Sequence, residues 1–86
     1  MRWPQVRSHF PHQWLVVEAL EARSELGKRL LDELAIVDQC PDGESAMRSY
    51  LKLHRQDPER ELYVLHTDRE NLEITEENWL GIRAAG

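Results

Sequence analysis

The sequence predicts an α+β domain: a small antiparallel sheet in strand-strand-helix-strand order, with one main helix packed on one face and short helices at the termini. Three observations carry this. Asp42 to Gln56 reads as a capped amphipathic helix, in which the Asp42 carboxylate can accept orphan backbone N–H groups and Ala46, Met47, Tyr50, Leu51 and His54 recur at helical spacing. Asp57-Pro58 stops that helix. Glu61-Leu62-Tyr63-Val64-Leu65-His66-Thr67 follows, β-prone and too short for a helix of its own.

In chain order, Pro4 suits the start of a short helix with Trp3, Val6 and Phe10 on one side, ended by Pro11 and packed on the core as a lid. Trp14-Leu15-Val16-Val17 is aromatic and β-branched, as a half-buried strand requires. Glu18 to Leu34 admits two readings. Its Ala, Leu, Glu, Lys and Arg content, with Leu20, Leu26, Leu30, Leu31 and Leu34 as a stripe, fits a long helix interrupted by Gly27. Alternatively Trp14 to Arg23 pairs with Arg29 to Cys40 in a hairpin, with Ser24 to Lys28 as the loop and Gly27 at positive φ. The β-prone end of Ala35 to Cys40, and the need of the Trp14 strand for a neighbour, favour the hairpin. Beyond Thr67, the capping-box spacing of Thr67 to Glu70 predicts a turn of helix, Leu72-Glu73-Ile74 a brief strand, and Thr75-Glu76-Glu77 the start of a last helix carrying Trp79, Leu80 and Ile82.

Eighty-six residues suffice for one domain spanning 1–86. A chain this size buries only about 60% of its unfolded surface, so a homodimer is the expected state. Sixteen acidic and eleven basic residues give a net charge of −5, which disfavours non-specific nucleic-acid binding. Eight of the acidic residues lie from Asp57 onward, making the C-terminal third an acidic surface. The single cysteine, Cys40, precludes an internal disulfide, and no apolar run matches a signal peptide or membrane span. These features point to the cytoplasm and away from a membrane.

The strings Phe10-Pro11-His12-Gln13-Trp14, Leu53-His54-Arg55-Gln56, Pro58-Glu59-Arg60-Glu61-Leu62-Tyr63-Val64 and Trp79-Leu80-Gly81-Ile82-Arg83 resemble those of a family of small, uncharacterised bacterial proteins, over nearly the whole chain. That family carries no established activity, so the resemblance implies no functional residues. Its strand-strand-helix-strand order is similar to the small fold of HicB-type antitoxins, at the level of fold only.

Chemistry-bearing residues are sparse. His9 and His12 are three apart, but Pro11 breaks the helical geometry that would aim both imidazoles at one metal, so no metal and no cofactor is expected. Cys40, His54 and His66 could form a thiol-imidazole site. No glycine-rich loop surrounds Cys40, however, and a small buried thiol is the simpler reading. Asp32-Glu33 and Glu76-Glu77 are adjacent pairs whose side chains diverge, as solvating charges do. Arg48, Lys52 and Arg55 share one face of the main helix and could meet an acidic partner or a phosphate backbone. Trp3 and Trp79, near the termini, are interface candidates, whereas Trp14 belongs to the core. The expected function is therefore non-enzymatic: a small protein-interaction module, antitoxin-like or an adaptor subunit, using a sheet edge, a Trp-bearing terminal segment or the acidic third. A nucleic-acid-associated regulator working through the basic stripe is the alternative, and a small Cys/His enzyme the second.

Overall fold

A long hairpin organises the molecule. In the computed structural model, which describes residues 1–75, β1 (Trp14–Glu25) pairs antiparallel with β2 (Lys28–Cys40) from Trp14 opposite Cys40 to Glu25 opposite Lys28. The hairpin reading of Glu18 to Leu34 thus holds over the helical one. The loop is shorter than the sequence implies: only Leu26 and Gly27 lie between the strands, with φ of 50° and 76°. Positive φ at both central residues is what a two-residue type I′ turn needs, and its twist matches that of the flanking strands. Leu26 is fully exposed at this tip.

The hairpin ladder is irregular at Val16/Val17, Ala19/Glu21 and Glu21/Ala22, where one strand carries an extra residue. Leu20 is left out of register and 56% exposed, whereas Leu31 and Leu34, three apart, face the same core.

After β2, helix α2 (Gly43–Gln56) begins at Asp42, whose carboxylate accepts the Ser45 N–H at 2.7 Å, as a cap should. That hydrogen bond lowers the Asp42 pKa. Strand β3 (Leu62–His66) then pairs antiparallel with β1, and β4 (Glu73–Thr75) with the start of β2. The sheet order is β3-β1-β2-β4.

Both faces of the sheet are covered. On one, Ala46 and Tyr50 of α2 pack with Val16, Cys40 and Leu62. On the other, helix α1 (Trp3–His9) sets Trp3 and Val6 against Leu15, Val17, Leu34, Tyr63 and Leu65, and Leu72 closes the cluster. The lid expected at Trp3, Val6 and Phe10 is therefore in place.

The turn of helix predicted at Thr67 is absent. Buried Thr67 accepts the Gln13 N–H on its hydroxyl at 2.9 Å, and Arg69 N–H returns to His66 O at 3.1 Å, so the chain turns without a helical ladder. The strand predicted at Leu72 to Ile74 is present one residue later. The last helix, with Trp79, Leu80 and Ile82, lies outside the described residues.

Two ion pairs tie the start of β3 to the hairpin. Arg29 reaches Glu61 bidentately, Nε to Oε2 at 3.0 Å and Nη2 to Oε1 at 2.7 Å, and the Tyr63 hydroxyl donates to Oε2 at 2.7 Å. Arg60 Nη2 donates to Glu18 Oε1 at 2.8 Å.

Candidate functional site

The chain treats its two sheet edges differently. On the β4 side, the start of β2 is paired by β4, and the middle is paired by Met1: Leu34 N–H donates to Met1 O and the terminal ammonium donates to Leu34 O, both at 2.7 Å. That edge is covered from Lys28 to Leu34; among the described residues no strand pairs with Ala35 to Cys40 on that side. On the β3 side, Glu61 O accepts Ala19 N–H and Thr67 N–H donates to Gln13 O, each at 2.9 Å. Alternation along an antiparallel ladder then turns Tyr63 and Leu65 toward β1 and the backbone groups of Leu62, Val64 and His66 outward. Among the described residues, Leu62 and Val64 have no backbone partner on that outer side; the His66 carbonyl takes only the Arg69 N–H of the following turn.

Helix α2 adds an apolar border to this edge. Ser49 Oγ donates to Asp38 Oδ2 at 2.7 Å, which fixes one flank of the helix over β2. At about 100° per residue, Met47, Leu51 and His54 fall on the opposite flank, above β3. Met47, Leu51 and Val64 are partly buried against the core under α2 and partly open. The His54 ring stacks on Tyr50 with centroids 5.7 Å apart, and its buried Nδ1 has no hydrogen-bond partner among the described residues. Outward backbone groups beside an apolar strip are what strand addition by another polypeptide uses: main-chain bonds for affinity, side-chain pockets for selection.

Arg48, Lys52 and Arg55 are exposed on the solvent face of α2. Arg48 is drawn back to Glu44 Oε1 at 3.1 Å and Ser45 Oγ at 3.3 Å. Lys52 and Arg55 carry no ion pair among the described residues.

Of the two tryptophans assigned to an interface, Trp3 is 5% exposed in its own chain's core, and its indole N–H donates to Arg69 O at 2.8 Å. Its place near the terminus is held by α1 folding back on the sheet. Trp79 lies outside the described residues. Trp14 packs beside α2, with its ring edge-on to His66 at 5.0 Å.

The thiol and imidazoles do not converge. Cys40 and His66 both pair with Trp14 from opposite sides, so two strand spacings, roughly 10 Å, separate their backbones. Cys40 Sγ instead donates to Asp38 Oδ2 at 3.7 Å. Burial, and then the nearby Asp38 carboxylate, push its pKa up, which disfavours the reactive thiolate. Native protein at pH 7 is expected to react with a thiol-specific reagent far more slowly than urea-unfolded chain; equal rates would contradict this placement.

His12, at positive φ of 53°, pairs its Nδ1 with Asp68 Oδ1 at 2.6 Å, and His9 lies against Phe10 on the surface. His12, Gln13, Gln39, Cys40 and Pro41 line an open hollow of about 300 Å³ at this end of the sheet. Among the described residues no three His, Cys, Asp or Glu side chains are grouped to hold a metal ion, and no helix is long and apolar enough to cross a membrane. Asp32 and Glu33 diverge, toward Arg23 at 3.4 Å and the terminal ammonium at 3.3 Å.

A scan against protein-family models, a search of the curated proteins and a search of the solved structures each found no match.

Proposed function

We propose that the protein is a non-enzymatic interaction module, an antitoxin-like or adaptor subunit of the cytoplasm, that holds a protein partner along the β3 edge and the adjoining flank of α2. The observation that carries this reading is the contrast between edges. Proteins ordinarily shield sheet edges by pairing, charge or covering segments, because an open edge invites strand addition. Here Met1 and β4 cover β2 from Lys28 to Leu34, while β3 presents the outward backbone groups of Leu62 and Val64 along its length, beside the half-open Met47 and Leu51.

The test is a recovery experiment with tagged protein in a lysate of its source, run in parallel with Leu51→Glu. Leu51 is only partly buried, so this variant is expected to keep the far-UV circular dichroism of the wild type while placing a charge on the apolar strip. A stoichiometric protein held by the wild type and lost from Leu51→Glu supports the reading. A partner held equally by both contradicts it. Nucleic acid recovered in a salt-sensitive way would instead favour exposed Lys52 and Arg55, since phosphate contacts weaken steeply with added salt.

A further inference from the structure

We infer that His66 is a proton-operated latch on the turn that anchors helix α1. That turn, Thr67 to Arg69, holds α1 and the loop behind it at three points: Trp3 Nε1–H donates to Arg69 O at 2.8 Å, Arg7 Nε–H to Thr67 O at 2.9 Å, and Gln13 N–H to the Thr67 hydroxyl at 2.9 Å. What shapes the turn therefore bears on the seating of α1. The latch does not depend on what binds the β3 edge.

Nδ1 of His66 accepts the Asp68 N–H at 3.1 Å, two residues along the chain, and closes the turn from within. An accepting ring nitrogen carries no hydrogen, so this arrangement requires the neutral imidazole protonated on Nε2 alone. A proton taken from solvent lands on Nδ1, and two N–H groups then face each other at hydrogen-bond distance. The contact turns from attraction to repulsion. The Asp68 carboxylate stands close by, with Oδ2 3.7 Å from the same nitrogen. The imidazolium thus gives up its backbone donor for a pairing with the carboxylate, and the Asp68 N–H is released.

Among the described residues Asp68 is the anion paired with this ring. Its other oxygen, Oδ1, lies 2.6 Å from Nδ1 of His12, which adopts a left-handed φ of 53° in the loop before β1. One carboxylate therefore meets two imidazoles with opposite requirements: protonation strengthens the pairing of His12 and ends the hydrogen bond of His66 to the amide. From β1, Trp14 meets the His66 ring edge-on at 5.0 Å, and its indole also borders Gly43 at the start of α2. The acids beside Gly43 are engaged locally, Asp42 with Ser45 N–H and Glu44 with Arg48. Arg7 of α1 and Arg69 of the turn direct Nε–H groups to Thr67 O and Asn71 O.

NMR of the full chain from about pH 8 to about pH 5, the range in which imidazoles change charge, tests the inference. At the upper end the ring nitrogens of His66 should report the Nε2–H tautomer. As this ring takes up its proton, protection of the Asp68 amide, corrected for the intrinsic pH dependence of exchange, should fall roughly 2- to 12-fold, the worth of one hydrogen bond. The Trp3 indole N–H should shift with the same midpoint, because its acceptor belongs to the turn. His66→Asn is the locked control: an Asn side-chain oxygen accepts the amide two residues on, as in an Asx-turn, and takes up no proton. Its Asp68 amide should stay equally protected across the range.

An Nδ1–H tautomer of His66 at about pH 8 overturns the inference, and so does an Asp68 amide whose protection ignores the titration of His66. A folded His66→Asn chain that loses Asp68 protection in acid as the wild type does also overturns it. A Trp3 indole that stays fixed while Asp68 responds overturns the anchoring role. If His66→Asn does not fold, the tautomer and the Asp68 titration of the wild type decide.

Discussion

Leu15→Ala is expected to destabilise the protein by about 2–5 kcal/mol, the range for truncating a fully buried leucine. Leu15 sits on β1, a strand paired on both sides, and is 0% exposed in a cluster with Val6 and Trp3 of α1, Tyr63 and Leu65 of β3, and Leu34 of β2. No neighbour can close the space without leaving its own contacts, so lost transfer energy and an unfilled cavity add. Small domains have only about 5–15 kcal/mol in total, and each kcal/mol is worth about 4–8 °C of Tm at this size. Leu20→Ala is the control: Leu20 is out of register and 56% exposed, and its loss should cost within about 0.5 kcal/mol. Urea and thermal melts of the two variants check the pair of values. Equal effects would contradict the assignment of these two leucines.

The second large effect is expected from Glu61→Leu, at about 2–3 kcal/mol. Glu61 takes both arms of Arg29 and the Tyr63 hydroxyl, so its loss leaves a guanidinium and a phenol without their acceptor. Breaking a fully buried pair costs about 3–5 kcal/mol; these side chains keep 24% and 18% exposure, which moves the expectation to the lower end. Arg29 cannot relieve the loss by neutralising. Hydrogen bonding to Glu61 raises its pKa, and a raised cation pKa contributes stability that is fully present below the unfolded value and lost only as pH rises through the folded one. For a guanidinium that window lies above any working pH. Arg29→Leu/Glu61→Leu should therefore recover much of the loss, because no charge remains unpaired. Chemical denaturation of both variants measures it, and a double variant less stable than Glu61→Leu would contradict the account.

How much of this was legible in the sequence differs element by element. Helix α2 was plain, because Asp42, the apolar spacing and Asp57-Pro58 act locally. The hairpin was ambiguous for a physical reason: the extra residue at Asp32 puts Leu31 and Leu34 on one face three residues apart, the spacing a helix would use. Pairing with β1 overrides the helical propensity of Glu18 to Leu34. Thr67 carried a cap signal, but its hydroxyl is taken by Gln13, a contact 54 residues away in sequence.

The candidate site was the least visible part. Which strand lies at an edge is a property of strand order, and nothing local in Leu62 to His66 announces it. Met47, Leu51 and His54 were recognised as one helix face, yet their place above the open edge depends on Ser49 fixing the other flank to Asp38. Trp3 lies in the core because its spacing with Val6 and Phe10, the pattern of a core-facing helix, outweighs its position near the terminus.

Amide hydrogen exchange of Leu62 and Val64, followed residue by residue in dilute protein, tests the central claim most directly. These outward amides should exchange fast, while Tyr63 and Leu65, bonded to β1, stay protected. Slow exchange of Leu62 and Val64 in dilute protein would mean the β3 edge is already closed within one chain, and would contradict the account.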